Sequence, residues 1–155
     1  MASYSTANDL GGTQQNLSTA YKTVLSVLAG ATPRRGYVCN IIVGADSTPA
    51  DNVLVLSVHR QTADDGTKTN VTPLAMDPGD PVFTGLGRAN YSAEPTITAT
   101  SQLLTFALNQ RATFEWAAAP GSELVFPATA NNGLAIRAKS PAYTSTVLAR
   151  AEIEE

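Results

Sequence analysis

Val147-Leu148-Ala149-Arg150-Ala151-Glu152-Ile153-Glu154 is the stretch that decides the fold class of this chain. Val147, Ala149, Ala151 and Ile153 fall on one face of an extended segment, and Leu148, Arg150, Glu152 and Glu154 on the other. A period of two with one apolar face is what a half-buried antiparallel strand requires. The pattern recurs upstream. Leu134, Ile136 and Ala138 alternate with Ala135, Arg137 and Lys139, and Ala112, Phe114 and Trp116 alternate with Thr113 and Glu115. Pro120-Gly121, Asn131-Asn132-Gly133 and Ser140-Pro141 separate these runs, and all are turn formers.

Further from the C-terminus the same reading continues. Glu123 to Phe126 is a short strand. Thr96 to Leu108 is extended, with a change of parity near Ser101-Gln102 that predicts a bulge or bend. Val53 to Gln61 is a strand with Leu54, Leu56 and Val58 inward and Ser57, His59 and Gln61 outward. Asp64-Asp65-Gly66-Thr67 reads as a tight hairpin turn, with Lys68 to Leu74 as the returning strand. Arg35 to Val43 and Tyr21 to Ala29 are the first two strands. The predicted inward set is Tyr37, Ile41, Leu54, Leu56, Leu104, Phe106, Phe114, Trp116, Ile136 and Val147. Eight or nine short strands with turns between them predict an all-β antiparallel β-sandwich. Its simplest form is a single jelly roll, with an immunoglobulin-type sandwich as the alternative.

Two segments fall outside this pattern. Residues 1–19 are polar, with Gly11-Gly12 and Gln14-Gln15-Asn16, and offer only Tyr4, Leu10 and Leu17 as anchors. They read as a flexible or partner-ordered N-terminal arm on a sandwich domain of residues 20–155. Residues 75–95 read as a long loop carrying Pro78, Pro81, Pro95, Gly79, Gly85 and Gly87. A loop of that length in a small domain is usually functional or interface-forming.

Composition narrows the function classes. The 155 residues suit one domain able to bury a core without metals or disulfides. Cys39 is the only cysteine, so no intramolecular disulfide forms. It shares parity with Tyr37, Ile41 and Val43 and reads as a small buried hydrophobe. Ten basic residues against thirteen acidic give a net charge of −3, and only Arg34-Arg35 are adjacent. Nucleic acid binding needs several phosphate contacts on one face, and no such stripe is present. No apolar run reaches the 18 or so residues of a membrane span. Met1-Ala2-Ser3-Tyr4-Ser5-Thr6 lacks the charged start and apolar run of a signal peptide, so a soluble protein made in a cytoplasm is expected. Charged residues make up 15% of the chain, against the usual share of about 25%. A surface of threonine, serine and alanine costs little to desolvate, which suits a protein packed against others.

Catalytic constellations are not apparent. His59 is the only histidine; no nucleophile elbow accompanies it, and it reads as an exposed strand residue. One histidine and one cysteine do not build a zinc site. Asp77-Pro78-Gly79-Asp80 and Asp64-Asp65-Gly66 lack the alternate ligands of a calcium loop and read as turn carboxylates. Glu115 and Glu123 flank Trp116, which parity places in the core rather than against a sugar. Asn16-Leu17-Ser18, Asn70-Val71-Thr72 and Asn90-Tyr91-Ser92 match the glycosylation pattern at a rate expected by chance. No enzymatic activity and no cofactor are expected.

Leu108-Asn109-Gln110-Arg111-Ala112-Thr113-Phe114-Glu115-Trp116, followed by Ala119-Pro120-Gly121-Ser122-Glu123-Leu124, resembles small structural proteins of tailed bacteriophages. The resemblance continues through Leu134-Ala135-Ile136-Arg137-Ala138 to Ala142-Tyr143-Thr144. It includes the opening, where a polar Gly-Gly-x-Gln-Gln segment leads to Ala20-Tyr21. Such proteins resemble the head decoration, or cement, proteins that coat icosahedral capsids. The resemblance implies a virion component made in the host cytoplasm, with the major capsid protein as partner and a homotrimer at three-fold positions. The competing expectation is a tail or fibre sandwich domain that binds host-surface carbohydrate. On the decoration reading, the arm and the long loop make the contacts, through Tyr4, Leu10, Leu17, Val82, Phe83, Leu86 and Arg88.

Overall fold

The predicted alternation builds two antiparallel sheets. The computed structural model describes residues 1–10, 12–140 and 145–155. The turn expected at Ser140-Pro141, the resemblance at Ala142-Tyr143-Thr144 and the break expected at Gly11 thus lie wholly or partly outside the described residues. The strands are β1 (Ser3–Ala7), β2 (Lys22–Leu28), β3 (Gly36–Ala45), β4 (Val53–Gln61), β5 (Thr67–Val71), β6 (Leu74–Ala75), β7 (Leu86–Ala93), β8 (Leu104–Asn109), β9 (Thr113–Ala117), β10 (Leu124–Phe126), β11 (Gly133–Lys139) and β12 (Val147–Glu154). The first sheet has the order β10-β3-β12-β1-β6, with β9 also pairing β3; the second has the order β5-β7-β2-β11-β4-β8. The protein is an all-β sandwich.

The core lies between the sheets. Leu25, Val27, Leu54, Leu56, Val58 and Ile136 of the second sheet belong to one buried cluster with Tyr4, Ile41, Val43, Val147, Ala151 and Ile153 of the first. Each fully buried aliphatic side chain of this kind contributes about 1.5–3 kcal/mol. Turn chemistry is as expected at three points: Gly66, Gly121 and Asn131 all have positive φ, at 73°, 83° and 65°. Thr100 also has positive φ, at 54°, so the bend anticipated near Ser101-Gln102 is present; the strand expected from Thr96 starts only at Leu104, and before the bend Ile97 makes a single isolated bridge to Gln61.

Several expectations are corrected. The N-terminal segment is not a free arm. Ser3–Ala7 pairs with β12 on one side, and Tyr4 and Ser5 pair with β6 on the other, so no domain boundary falls at residue 19. Tyr4 supplies the burial that the polar composition concealed, being 2% exposed. Tyr37 is half-buried and Val38 takes its place in the core. The cause is a bulge: Glu152 pairs with Asn40 but Ile153 with Val38, so Cys39 is an extra residue that reverses the parity before it. Cys39 is therefore half-buried rather than a core residue. Leu104, Phe106, Phe114 and Trp116 do point inward, but they are only partly buried, because β8 and β9 are edge strands at an open side of the sandwich.

The expected hairpin after Gly66 does not form. β5 pairs with β7 at the far edge of the second sheet, not with β4. Asp64 holds the crossing chain by a two-pronged pair with Arg88, at 2.8 Å and 2.6 Å. The loop read at 75–95 shrinks to residues 76–85, since Leu86–Ala93 is β7. Ser57, His59 and Gln61, expected in solvent, are 1%, 5% and 1% exposed. Gln61 accepts a hydrogen bond from Ser26 and donates to the Ala63 carbonyl, and Tyr21 packs edge-on to His59 with ring centroids 5.4 Å apart.

Candidate interaction surface

Three exposed large apolar side chains lie at or just beyond the β6 edge of the first sheet. Leu74, Met76 and Val82 are 62%, 53% and 75% exposed. Their placement follows from the strand register. Leu74 faces Ser5 and Ala75 faces Tyr4, so Leu74 shares the outer face with Ser5 while Tyr4 turns inward. The chain then leaves the sheet, as the Met76 amide donates to the Ser3 carbonyl at 2.8 Å. Asp77 closes a tight turn, its carboxylate accepting from Gly79 N at 2.8 Å and its carbonyl from Asp80 N at 3.0 Å.

The following residues are tied down from beneath. The Tyr4 hydroxyl donates to the Pro81 carbonyl at 3.0 Å, and its ring lies 5.0 Å from that of Phe83. Thr84 donates through its amide and its hydroxyl to the Glu155 carboxylate, which also pairs with Arg34 at 3.6 Å. Burial, and then the charge of Glu155, push the Tyr4 phenol upward, so it stays protonated as the donor. Val82 is therefore held outward by anchored neighbours on both sides.

Beside this rim lies a groove of about 470 Å³ across the outer face of the first sheet, lined among others by Ser3, Cys39 and Met76. Asp77, Asp80, Glu152 and Glu154 supply its charge. Arg150 offsets Glu152 at 2.8 Å. Burial, and then Glu154, push the Cys39 thiol up to about 11, so it remains a neutral thiol rather than a nucleophile at neutral pH. The surface is apolar at its rim and negative along its floor.

The residues expected to make contacts divide sharply. Leu10, at 55% exposed, and Val82 are free to touch a partner. Tyr4, Leu17 and Phe83 are buried within the chain. Leu86 is half-buried in β7, and Arg88 is committed to Asp64. Leu74 and Met76, both exposed, lie outside the predicted contact set. Their signal was local: two large apolar residues beside Pro73 and Asp77-Pro78, where a short edge strand leaves them uncovered. The meeting of Glu152 and Glu154 with Asp77 and Asp80 had no local signal, because β1 must first lie between β12 and β6.

Other candidate chemistry does not assemble. Glu115 is engaged by Asn40, whose amide donates to it at 2.6 Å. Trp116 packs on the core. Among the described residues no group of three or more His, Cys, Asp or Glu side chains is placed to hold a metal ion. Among the same residues no helix is long and apolar enough to cross a membrane. No family model, no curated protein and no solved structure matches this chain.

Proposed function

We propose that this protein is a bacteriophage head decoration protein, a non-enzymatic virion component that binds the outer capsid surface and stabilises the shell by bridging capsomers. The strand order carries the reading. In the first sheet β1, β12, β3 and β9 are successive neighbours, and in the second β2, β11, β4 and β8. Taken in chain order, these eight strands cross between the sheets at every step except from β4 to β8. We infer a jelly roll, the two-Greek-key arrangement used by viral capsid and lectin domains. β5, β6 and β7 are then an insertion that extends one edge of each sheet.

The physics of a cement role agrees with this architecture. A protein that binds only the assembled lattice shifts assembly toward the bound form by mass action. Many copies related by symmetry sum modest contacts into large stabilisation. The rigid sandwich supplies shape, and the apolar β6 rim supplies contact area. A lectin role is less well supported, since Trp116 sits on the core rather than on an open face. The test is imaging of purified virions with the gene intact and deleted. Loss of density from the outer capsid, together with earlier release of DNA on heating, is the expected result. Unchanged capsids, with density lost from the tail instead, would sink the proposal.

A further inference from the structure

The sheets end in β6, β9 and β10 on the first and in β5 and β8 on the second. All but β8 carry a feature that discourages further pairing. β6 and β10 are two and three residues long, β9 has the charge of Glu115 at its centre, and β5 has Lys68 and an irregular register between Thr67 and Thr69. In β8, Leu104-Thr105-Phe106-Ala107-Leu108-Asn109 contains no charge and no proline, and its register with β4 is unbroken. The Gln110 amide donates to the Asn52 carbonyl at 3.0 Å, which sets the phase of that ladder. Leu104, Phe106 and Leu108 therefore bond toward β4, and Thr105 and Ala107 direct their N–H and C=O groups away from it. Both are exposed, and among the described residues no strand pairs with them from the outer side. The open row ends at Asn109, whose carbonyl accepts from the Ala112 amide at 2.9 Å. Side chains on this edge are also incompletely covered. Leu104, Phe106 and Leu108 turn inward, Phe114 and Trp116 do so from β9 of the other sheet, and all five are only partly buried. The Phe106 and Phe114 rings lie 4.0 Å apart, so the two edges flank one narrow mouth of the sandwich.

We propose that the β8 edge is a docking site for an extended, uncharged segment of another protein, which adds to the second sheet as a further strand. The hydrogen-bonding groups select the occupant. Outward N–H and C=O groups recurring at every second residue, about 6.8 Å apart along the strand, are matched by an extended backbone and not by a helix or a sugar. The sheet then dictates the sequence of the segment. Its inward side chains continue the row of Leu104, Phe106 and Leu108 over the open mouth and are apolar. Its outward side chains continue the row of Thr105 and Ala107 and are small or hydroxylated. Charge argues against a second copy as the occupant. Two sandwiches joined through β8 bring β9 of each against its own copy and set Glu115 beside Glu115, which opposes the contact. A single strand has no second layer and meets no such repulsion. This site is separate from the β6 rim, and the inference does not rest on the decoration reading.

The probe is a fluorescently labelled peptide of alternating valine and threonine, with a lysine at each end for solubility, titrated with the full chain and read by fluorescence polarisation. Saturable binding is expected. Ala107→Pro removes an outward N–H without touching the bonds to β4, a substitution that edge strands tolerate, and should raise the dissociation constant by roughly 10-fold or more. Ala107→Thr keeps the N–H and should bind as the wild type does. Thermal melts establish that both variants are folded. Amide hydrogen exchange needs no variant at all: the peptide should slow exchange at Thr105 and Ala107 and leave Thr67–Val71 of β5 unchanged. Absence of saturable binding, equal binding by a folded Ala107→Pro, or protection confined to another edge overturns the proposal. Protection of Thr105 and Ala107 that grows with protein concentration in the absence of peptide also overturns it, because the occupant is then a second copy of the chain.

Discussion

The outer faces of the two sheets are built on opposite terms. On the first sheet, β12 alternates buried and accessible residues along its whole length, and its outward side chains Arg150, Glu152 and Glu154 face the groove and its surroundings. On the second sheet, β2 is buried at six consecutive positions from Thr23 to Leu28, and β11 at four from Gly133 to Ile136. Its outward residues Ser26, His59 and Gln61 are polar yet almost without solvent contact. Tyr91 and Tyr21 cover them, with Tyr91 itself 0% exposed and its hydroxyl 3.3 Å from the Gln61 amide. One face is available for partners. The other is a second, hydrogen-bonded interior.

If that contrast is right, the largest effect comes from Gln61. Its side chain links Ser26, Ala63 and Tyr91. Gln61→Ala leaves the hydroxyls of Ser26 and Tyr91 buried without this partner and should cost about 2–4 kcal/mol. Urea unfolding checks it. A loss below about 0.5 kcal/mol, the range of ordinary surface sites, would mean that this face is solvated like the other.

Asp64→Asn should come next. The Asp64–Arg88 pair has side chains 17% and 12% exposed, and Arg88 holds the carboxylate well below its usual range. Lys68 adds a second contact at 3.1 Å. Breaking a two-pronged, mostly covered pair should cost about 1–3 kcal/mol. Because β5 is carried to the edge of the second sheet by this crossing, hydrogen exchange should rise first in Thr67–Val71. Uniform acceleration across both sheets would show that the pair anchors the whole domain instead.

These two sites also show how far the sequence was readable. Where one face meets water, alternation told the truth: Val147, Ala149, Ala151 and Ile153 are all buried, as their period of two required. Where both faces are covered, alternation carries no information about the outer one, so a period of two wrongly points Ser57, His59 and Gln61 to solvent. Tyr37 failed for a different reason. One extra residue at Cys39 inverts every assignment before it, and nothing in Tyr37-Val38-Cys39-Asn40 announces a bulge. β1 failed because a polar segment can be a strand if its neighbours supply the burial, as Tyr4 and Thr6 show at 2% and 1% exposed. The interaction surface inherits that error. Val82 was legible as an apolar residue of the long loop just after Pro78 and Pro81, but the acidic floor beside it depends on a strand that composition hid.

A pH series separates the faces by a smaller effect. Burial, and then the positive charge of Arg137, lower the pKa of His59, so the folded protein resists protonating it. The unfolded chain binds that proton near the ordinary value of about 6.5. Its stabilising contribution is therefore complete above that pH and is lost as the pH falls toward the lower folded value. Unfolding free energies at about pH 7.5 and about pH 5.5 should differ in the wild type and converge in His59→Gln. The depressed carboxyls Asp64 and Asp65 act in a separate window, at and below their usual range. An equal slope in both proteins between those two pH values would place His59 in contact with water.

Glu152→Gln on the first sheet should be the smallest change in stability. Its pair with Arg150 has side chains 30% and 41% exposed, and Arg150 keeps a second partner in Ser5 at 2.9 Å. Exposed pairs of this kind contribute about 0–1 kcal/mol. The substitution keeps the shape of the side chain and removes one negative charge from the groove, so the fold has little to lose. A surface whose charge serves a partner rather than the fold has a distinct signature. Melting should be unchanged within about 0.5 kcal/mol, while binding to capsids lacking the protein should change. The reverse pattern, a clear loss of stability with capsid binding intact, would show that the outer face of the first sheet is built to hold the domain together, as that of the second is.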